Sequence, residues 1–137
     1  MQVPANADHL SHTVVAELAN EAPYRQAMED NPPADVVLGV LRPERYAELL
    51  DELGFAAQHV RLQVYGHRLA STADVVEWTK GTTLVRFRRV LPPDLFEAFV
   101  DDYRERLVER LGARSPYFYA FKRILFWGRK PLTTATR

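Results

Sequence analysis

The sequence has 137 residues, with 18 basic and 18 acidic side chains and no cysteine. This length predicts one domain with enough chain to bury a core. The balanced charge argues against nucleic-acid and anionic-membrane binding, and the lack of cysteine excludes disulfides and cysteine-ligated zinc. No apolar run reaches about 20 residues and the N-terminus lacks a basic-then-apolar pattern, so we expect a cytoplasmic protein with neither a nucleic-acid nor a membrane partner.

The first segment predicts a strand end followed by a helix. Gln2 to Pro4 is short and apolar, as at the end of a strand, and Asn6 or Asp8 is the expected helix cap. An apolar face at helical spacing follows at Leu10, Val14, Val15, Leu18 and Ala22. His9 and His12 could share a helix face, but a third ligand is not near them in sequence, so we predict no metal site.

Two further helices are predicted before the next strand. Pro23 can open a short helix through Met28, which is stopped at Asn31-Pro32-Pro33, and a loop or single turn should run to Val40. Pro43 suits the first position of a third helix that ends at Gly54. Its apolar residues recur as a buried stripe at Tyr46, Leu49, Leu50 and Leu53.

The stretch from Gln58 to Leu69 alternates like an edge strand with one wet face. Its apolar face carries Val60, Leu62 and Val64. Tyr65 and His67 share the opposite face near the strand end. They can form a polar wall of a substrate pocket or simply an exposed strand face, and the sequence leaves both interpretations open.

The stretch from Ser71 to Phe99 combines a helix start, a turn and a cluster of cations. Ser71 or Thr72 can cap the helix, and Gly81 can stop it. Polar and cationic side chains then follow at Lys80, Thr82, Thr83, Arg86, Arg88 and Arg89. Such donors suit a carboxylate or a phosphate, although solvated surface charge is an equally good interpretation.

The last third predicts the longest helix and an interior strand. Pro92-Pro93 opens a helix that Gly112 ends, with an apolar stripe opposite a charged, solvated face. Tyr117 to Trp127 is apolar on both alternating faces, which predicts a strand covered on each side. Arg123 within that strand requires a salt-bridge partner or a ligand. Beyond Gly128, a mobile tail is expected over residues 129–137.

Several of these motifs, in this order, resemble one enzyme family. EWTKGTTL, between VYGHRL and LPPDLFEAFVDDYRERL, is similar to the C-terminal half of the trans-aconitate 2-methyltransferase family of class I S-adenosylmethionine-dependent methyltransferases. The opening MQVPANADHLSH resembles that family's fifth strand and the following helix, and FYAFKRILFW resembles its last strand. The resemblance runs from Gln2 to about Trp127.

The resemblance implies an α+β fold. It predicts a three-stranded, partly antiparallel sheet, formed by the last strands of a Rossmann-like methyltransferase sheet and covered by four or five helices. The last strand is expected between the other two. Residues 1–128 would form the C-terminal half of a methyltransferase domain, with a substrate lid at about residues 71–99.

The cofactor-binding features of such an enzyme are not found in this sequence. A Gly-rich turn normally approaches the cofactor, but the six glycines stand singly at 39, 54, 66, 81, 112 and 128. S-adenosylmethionine is therefore expected as the cofactor of the intact enzyme, whereas this chain alone is expected to be inactive. By resemblance, a small carboxylic acid would be held by Asn6, Tyr65, His67, Trp78, Lys80, Thr82, Arg86 and Arg123.

Two alternatives follow for what the chain does. It can be the acceptor-binding half of a methyltransferase acting on trans-aconitate or a similar acid, with no residue in covalent catalysis. It can instead be a non-enzymatic binding module or remnant that self-associates. The partner is accordingly a missing N-terminal half or a second copy that buries the edge at Gln2 to Pro4.

Overall fold

Three strands form one sheet in a computed structural model of the chain, which describes residues 1–132. The strands are β1 (Gln2–Pro4), β2 (Ala57–Leu69) and β3 (Tyr117–Arg129). Their order is β1-β3-β2, which confirms β3 as the middle strand and β2 as an edge. β1 runs antiparallel to β3 with Val3 opposite Ile124. The Ala56 N–H donates to the Arg129 carbonyl, so the start of β2 meets the end of β3 and this pair is antiparallel too.

Six α-helices accompany the sheet in the described residues, which confirms the α+β fold. They are α1 (Leu10–Ala19), α2 (Tyr24–Ala27), α3 (Pro43–Glu52), α4 (Asp74–Lys80), α5 (Val85–Arg88) and α6 (Pro93–Leu111). A 3₁₀ turn at Val36–Gly39 lies in the predicted loop. The count exceeds the predicted four or five because α5 is a single turn inside the arginine-rich segment, which carries no extended helical pattern.

The chain divides into two compact units. Unit 1 comprises Met1–Asn6, Val37–Tyr65 and residues from Ala120 onward, and unit 2 comprises Ala7–Val36 and Gly66–Tyr119. β2 and β3 each contribute residues to both units. Residues 133–137, which belong to the predicted mobile tail, lie outside the described part, whereas Arg129 still belongs to β3.

Unit 2 is built around the packing of α1 on α6, with α4 and α5 also against α6. Val14 and Leu18 of α1 are buried, as are Phe99 and Leu107 of α6. Each such side chain contributes about 1.5–3 kcal/mol when fully buried. The predicted α6 stripe is therefore confirmed as the core of this unit.

Unit 1 places α3 on one face of the sheet. The Tyr46 ring stacks on Phe126 with a centroid separation of 4.9 Å. Gly128 permits the close approach of the Phe55 ring to β3, since a Cβ at position 128 would lie 2.6 Å from that ring. The predicted buried stripe of α3 is wrong, because no α3 residue is buried and Leu53 is 67% exposed. Helical periodicity indicated the apolar side of α3 but not how much of it the sheet covers.

The strand faces are also less covered than predicted. Leu62 and Val64 lie on the predicted inner face of β2 but are 49% and 52% exposed. β3 is not covered on each side, because Phe118 and Trp127 are 64% and 56% exposed. The sheet therefore carries open apolar surface at several points.

Two helix caps differ from the prediction. His9, rather than Asn6 or Asp8, caps α1, and its ring accepts the Ser11 N–H. Ala73 precedes α4 without a side-chain cap.

Candidate functional site

The eight predicted site residues are divided between the two units. Asn6, Tyr65 and Arg123 belong to unit 1, whereas the other five belong to unit 2. Those five are His67, Trp78, Lys80, Thr82 and Arg86. The structure brings two of the five, His67 and Trp78, into direct contact.

The unit 1 residues have local contacts. The buried Asn6 accepts the Lys122 N–H through Oδ1 at 3.0 Å and thereby continues the pairing of β1 with β3. Arg123 lies over the Phe121 ring at 5.2 Å. Tyr65 is 37% exposed on β2. The side-chain oxygen Oδ1 of Asn6 therefore already accepts a hydrogen bond from the sheet.

Trp78 of α4 lies between two other rings. Its centroid is 4.6 Å from that of His67 and 5.6 Å from that of Tyr119, which it meets edge-on. Tyr119 is buried and also meets the His9 ring at 4.8 Å. Trp78 remains 37% exposed, so it presents an aromatic surface to solvent, while its neighbour Tyr119 is buried. With Tyr117, these rings form the imidazole–aromatic cluster (His9, His67, Trp78, Tyr117 and Tyr119).

Hydrogen bonds fix the orientation of His9 in this cluster. Its Nδ1 accepts the Ser11 N–H at 3.1 Å and lies 2.8 Å from the Ser11 hydroxyl. In the neutral ring the proton is therefore on Nε2, which donates to the Tyr117 hydroxyl oxygen at 3.0 Å. The Tyr117 O–H can in turn donate to a ligand, and burial raises the pKa of this phenol. The cluster thus combines aromatic surface with an oriented hydroxyl donor.

A second buried network holds Arg86. Its Nη1 lies 3.0 Å from Asp35 Oδ1 and its Nη2 donates to Oδ2 at 3.2 Å. His12 Nδ1 lies 2.7 Å from the same carboxylate. The Asp35 and His12 side chains are 4% and 6% exposed. Arg86 is therefore already neutralised by Asp35, and its buried Nε has no hydrogen-bond partner in the described part of the chain.

Lys80 lies in a different environment from Arg86. Its ammonium binds Glu77 at 2.8 Å, and Arg104 binds the same carboxylate at 3.3 Å. The Lys80 hydrogen bond holds the pKa of the Glu77 carboxyl below its usual value, with Arg104 acting in the same direction. Lys80, Arg88 and Arg104 line an open groove over α6. The predicted cations thus divide between a buried pair and a solvated groove.

Thr82 is exposed, and its hydroxyl lies 3.5 Å from the Thr79 carbonyl. Thr79 is buried, and its hydroxyl donates to the Val76 carbonyl within α4. The Thr79 and Thr82 hydroxyls therefore have a structural role, since their partners are backbone carbonyls of α4.

Among residues 1–132, no group of three or more His, Cys, Asp or Glu side chains is placed to hold a metal ion. His9 and His12 are therefore not part of such a group. The helices of that part are also too short or too polar to cross a membrane.

Sequence reasoning missed His9, Tyr117, Tyr119 and Asp35. His9 and Tyr117 are 108 residues apart, and His12 and Asp35 are 23 apart. A local motif cannot report such contacts. The one available signal was the placement of His9 at a helix start, where its ring is a possible cap.

The sequence is similar to those of several curated proteins. No protein-family model matches it. Curated relatives that are named as methyltransferases align with most of its length, so the chain is similar to methyltransferases over that length. It is 37% identical to a Deinococcus radiodurans protein over 96% of this chain and 51% of the relative.

These relatives carry the name trans-aconitate 2-methyltransferase. A Streptomyces avermitilis protein is 39% identical over 82% of this chain and 40% of its own length. A Mycobacterium tuberculosis protein is 33% identical over 85% and 42%. The family resemblance is thereby confirmed for nearly the whole chain, which spans about half the length of the curated relatives it matches.

Proposed function

We propose that this chain supplies the acceptor-binding half of an S-adenosylmethionine-dependent methyltransferase that acts on a carboxylate of a small acid such as trans-aconitate. The observation that carries the proposal is the 37% identity over 96% of the chain to a protein of that name. The imidazole–aromatic cluster in unit 2 supports it, because a flat unsaturated acid can lie against Trp78 and accept a hydrogen bond from Tyr117.

The proposed role of the side chains is to position the acid. Methyl transfer needs alignment of an acceptor oxygen with the methyl group, and alignment alone can lower the barrier by several kcal/mol. In this proposal the unit 2 residues Lys80 and Arg86 offset the acid's negative charge while Trp78 forms the apolar wall. A ligand carboxylate at Arg86 would have to compete with the buried Asp35, whereas at Lys80 it would compete with the exposed Glu77, so we give Lys80 the larger role.

The glycines of the described residues do not form a Gly-rich turn that could hold S-adenosylmethionine. Gly54 and Gly112, the two glycines with positive φ, each follow a helix end, and Gly66 and Gly128 lie against the Phe118 and Phe55 rings. They do not form a loop whose backbone could approach the cofactor. In the proposal the cofactor belongs to the part of the relatives that this chain does not match.

The second candidate is a non-enzymatic module that binds a small acid and self-associates. The same lack of a Gly-rich turn in the described residues favours it. Titration calorimetry of the 137-residue chain with trans-aconitate and then with S-adenosylmethionine tests both candidates. Acid binding without cofactor binding is expected, and loss of acid binding in Trp78→Ala and Lys80→Ala would locate the site.

Transfer itself is tested in a joined polypeptide that adds the unmatched part of the Deinococcus radiodurans relative. Methylation of trans-aconitate is expected, with a KM for the acid that rises in Lys80→Ala. Arg110→Ala is the control, since Arg110 pairs with Glu17 at the surface of unit 2. No transfer by this polypeptide, together with acid binding by the chain, would favour the non-enzymatic module.

A further inference from the structure

His12 is a buried histidine to which the proposed function gives no role. It lies in the first turn of α1, and its side chain is 6% exposed. Its Nδ1 lies 2.7 Å from Oδ2 of Asp35, a carboxylate that Arg86 also binds. These three residues all belong to unit 2. An imidazole that a buried carboxylate orients is a frequent arrangement at ligand-binding and catalytic sites.

The Asp35 carboxylate fixes the position of the proton on the neutral His12 ring. A carboxylate only accepts hydrogen bonds, so the ring donates to it from Nδ1. A neutral imidazole has one N–H, which leaves Nε2 as an acceptor. Nε2 has no hydrogen-bond partner among residues 1–132, and Arg86 Nε is the one unpartnered side-chain nitrogen there that is completely buried. Nε2 is therefore within reach of solvent and of a ligand.

The charges at this network balance before a ligand binds. Arg86 makes two contacts with the Asp35 carboxylate, at 3.0 and 3.2 Å, and so offsets its negative charge. A second proton on the His12 ring would therefore add a positive charge with no counter-charge of its own. The first turn of a helix also disfavours a positive charge, and a buried charge is costly unless it is paired. A ligand carboxylate at Nε2 would supply the missing counter-charge.

The helices that pack on α1 do not provide this counter-charge. Among residues 1–132, Asp35 is the one acidic side chain at ion-pair distance from His12. The elements α6 and α2 contribute the phenols of Tyr103 and Tyr24, each of which donates to another group. The charged side chains of α4 bind partners other than His12. A carboxylate at Nε2 must therefore come from a ligand.

We infer that His12, oriented by Asp35, is a further acid-binding residue, which takes up a proton at Nε2 as a carboxylate of the acid binds there. The Nε2 lone pair accepts the proton from solvent, and the new N–H donates to a carboxylate oxygen. The proton returns to solvent when the acid leaves. Both partners of this hydrogen bond are charged and the ring is mostly buried, which strengthens the contact. The inference deepens the proposed function and rests on it for the choice of ligand.

The test is titration calorimetry of the full 137-residue chain with trans-aconitate in two buffers of different ionisation enthalpy, phosphate and Tris. At about pH 8 the carboxyl groups of the acid are ionised, so a difference between the two binding enthalpies reports proton uptake by the protein. We expect uptake of about one proton per bound acid.

His12→Asn should abolish the uptake and weaken acid binding about tenfold. The amide of this variant can still donate to Asp35, which favours folding. His59→Asn is the matched control, because His59 is an exposed histidine of unit 1, and it should leave uptake and affinity unchanged. His67 is a competing source of uptake, since it contacts Trp78. Uptake that is lost in His67→Asn but kept in His12→Asn would overturn the inference.

A measurement on the wild type covers the case in which His12→Asn does not fold. Long-range ¹H–¹⁵N NMR of the histidine rings reports which ring nitrogen carries a proton. In the free chain we expect the His12 proton on Nδ1 alone, and after addition of trans-aconitate we expect protons on both nitrogens. A proton on Nε2 in the free chain, or a ring that the acid leaves unchanged, would overturn the inference.

This inference and the proposed function fail in different ways. Acid binding without proton uptake contradicts the role of His12 alone. Proton uptake at His12 without methyl transfer by the joined polypeptide contradicts the proposed transfer alone. If the chain binds no acid, the role of His12 is overturned, whereas the joined polypeptide still tests transfer.

Discussion

Unit 2 and unit 1 of the same chain differ in how far they bury their apolar residues. Eighteen apolar side chains are buried in unit 2, against Ile124 in the described part of unit 1. Unit 2 therefore has the core of an independent folding unit, whereas unit 1 has secondary structure with little to hold it. Regular hydrogen bonding alone contributes little net free energy, so the difference should appear in stability.

The largest effect should come from the core of unit 2. Leu107→Ala removes a fully buried side chain from α6 and should lower the free energy of unfolding by about 3–5 kcal/mol. Chemical denaturation followed by circular dichroism would measure it. A loss below about 1 kcal/mol would mean that the α1–α6 contact is not the core of the unit.

Asp35→Ala should have the next largest effect. It leaves the Arg86 guanidinium and His12 without their shared carboxylate. The free energy of unfolding should fall by about 2–3 kcal/mol, less than for a fully buried ion pair because the Arg86 side chain is 18% exposed. Denaturant midpoints would report the loss. Glu77→Ala, which removes an exposed carboxylate from two surface ion pairs, is the control and should change stability by less than about 1 kcal/mol.

Tyr103→Phe should give a smaller and pH-dependent effect. The Tyr103 hydroxyl donates to the Ser11 carbonyl at 3.2 Å, so its removal should cost about 1 kcal/mol near neutral pH. Burial raises the pKa of this phenol above its ordinary value of 10.0. The folded state thus keeps the proton longer than the unfolded chain does.

The stabilising contribution of Tyr103 is full below about pH 10 and is lost as the pH rises through the raised folded value. The difference between the wild type and Tyr103→Phe should therefore shrink above about pH 10. Denaturation at several alkaline pH values would measure this, and a constant difference would contradict it.

The smallest effect is expected at Leu53 of unit 1. Leu53→Ala makes the same chemical change as Leu107→Ala at a side chain that is 67% exposed, so stability should change by less than about 0.5 kcal/mol. Measured together, the two variants compare the units directly. A loss similar to that of Leu107→Ala would show that unit 1 is better packed than its burial indicates.

The sequence was sufficient for the long elements. α6 has a proline at its start, a glycine with positive φ after its end and five turns of apolar spacing, so its bounds follow from local rules. The middle position of β3 followed from its nearly continuous apolar composition and from the family resemblance. Burial in unit 1 was not predictable, because an apolar stripe such as that of α3 shows which side seeks cover and not whether cover is present.

The candidate site was predicted in part. Trp78 was predicted from its motif and His67 from its place on the strand, and the two rings are in contact. The partners that orient or neutralise the predicted residues were not accessible to local reasoning. His9 and Tyr117 meet only when α1 and β3 fold together, and Asp35 lies in an irregular loop that carries no sequence signal for Arg86.

The two tryptophans of the chain fall one in each unit, Trp78 in unit 2 and Trp127 in unit 1. Trp78 lies among His67 and Tyr119, whereas Trp127 is mostly exposed. Replacing either one by phenylalanine leaves a single tryptophan, in the other unit. The protein therefore contains its own pair of optical probes, by which the unfolding of each unit can be followed separately.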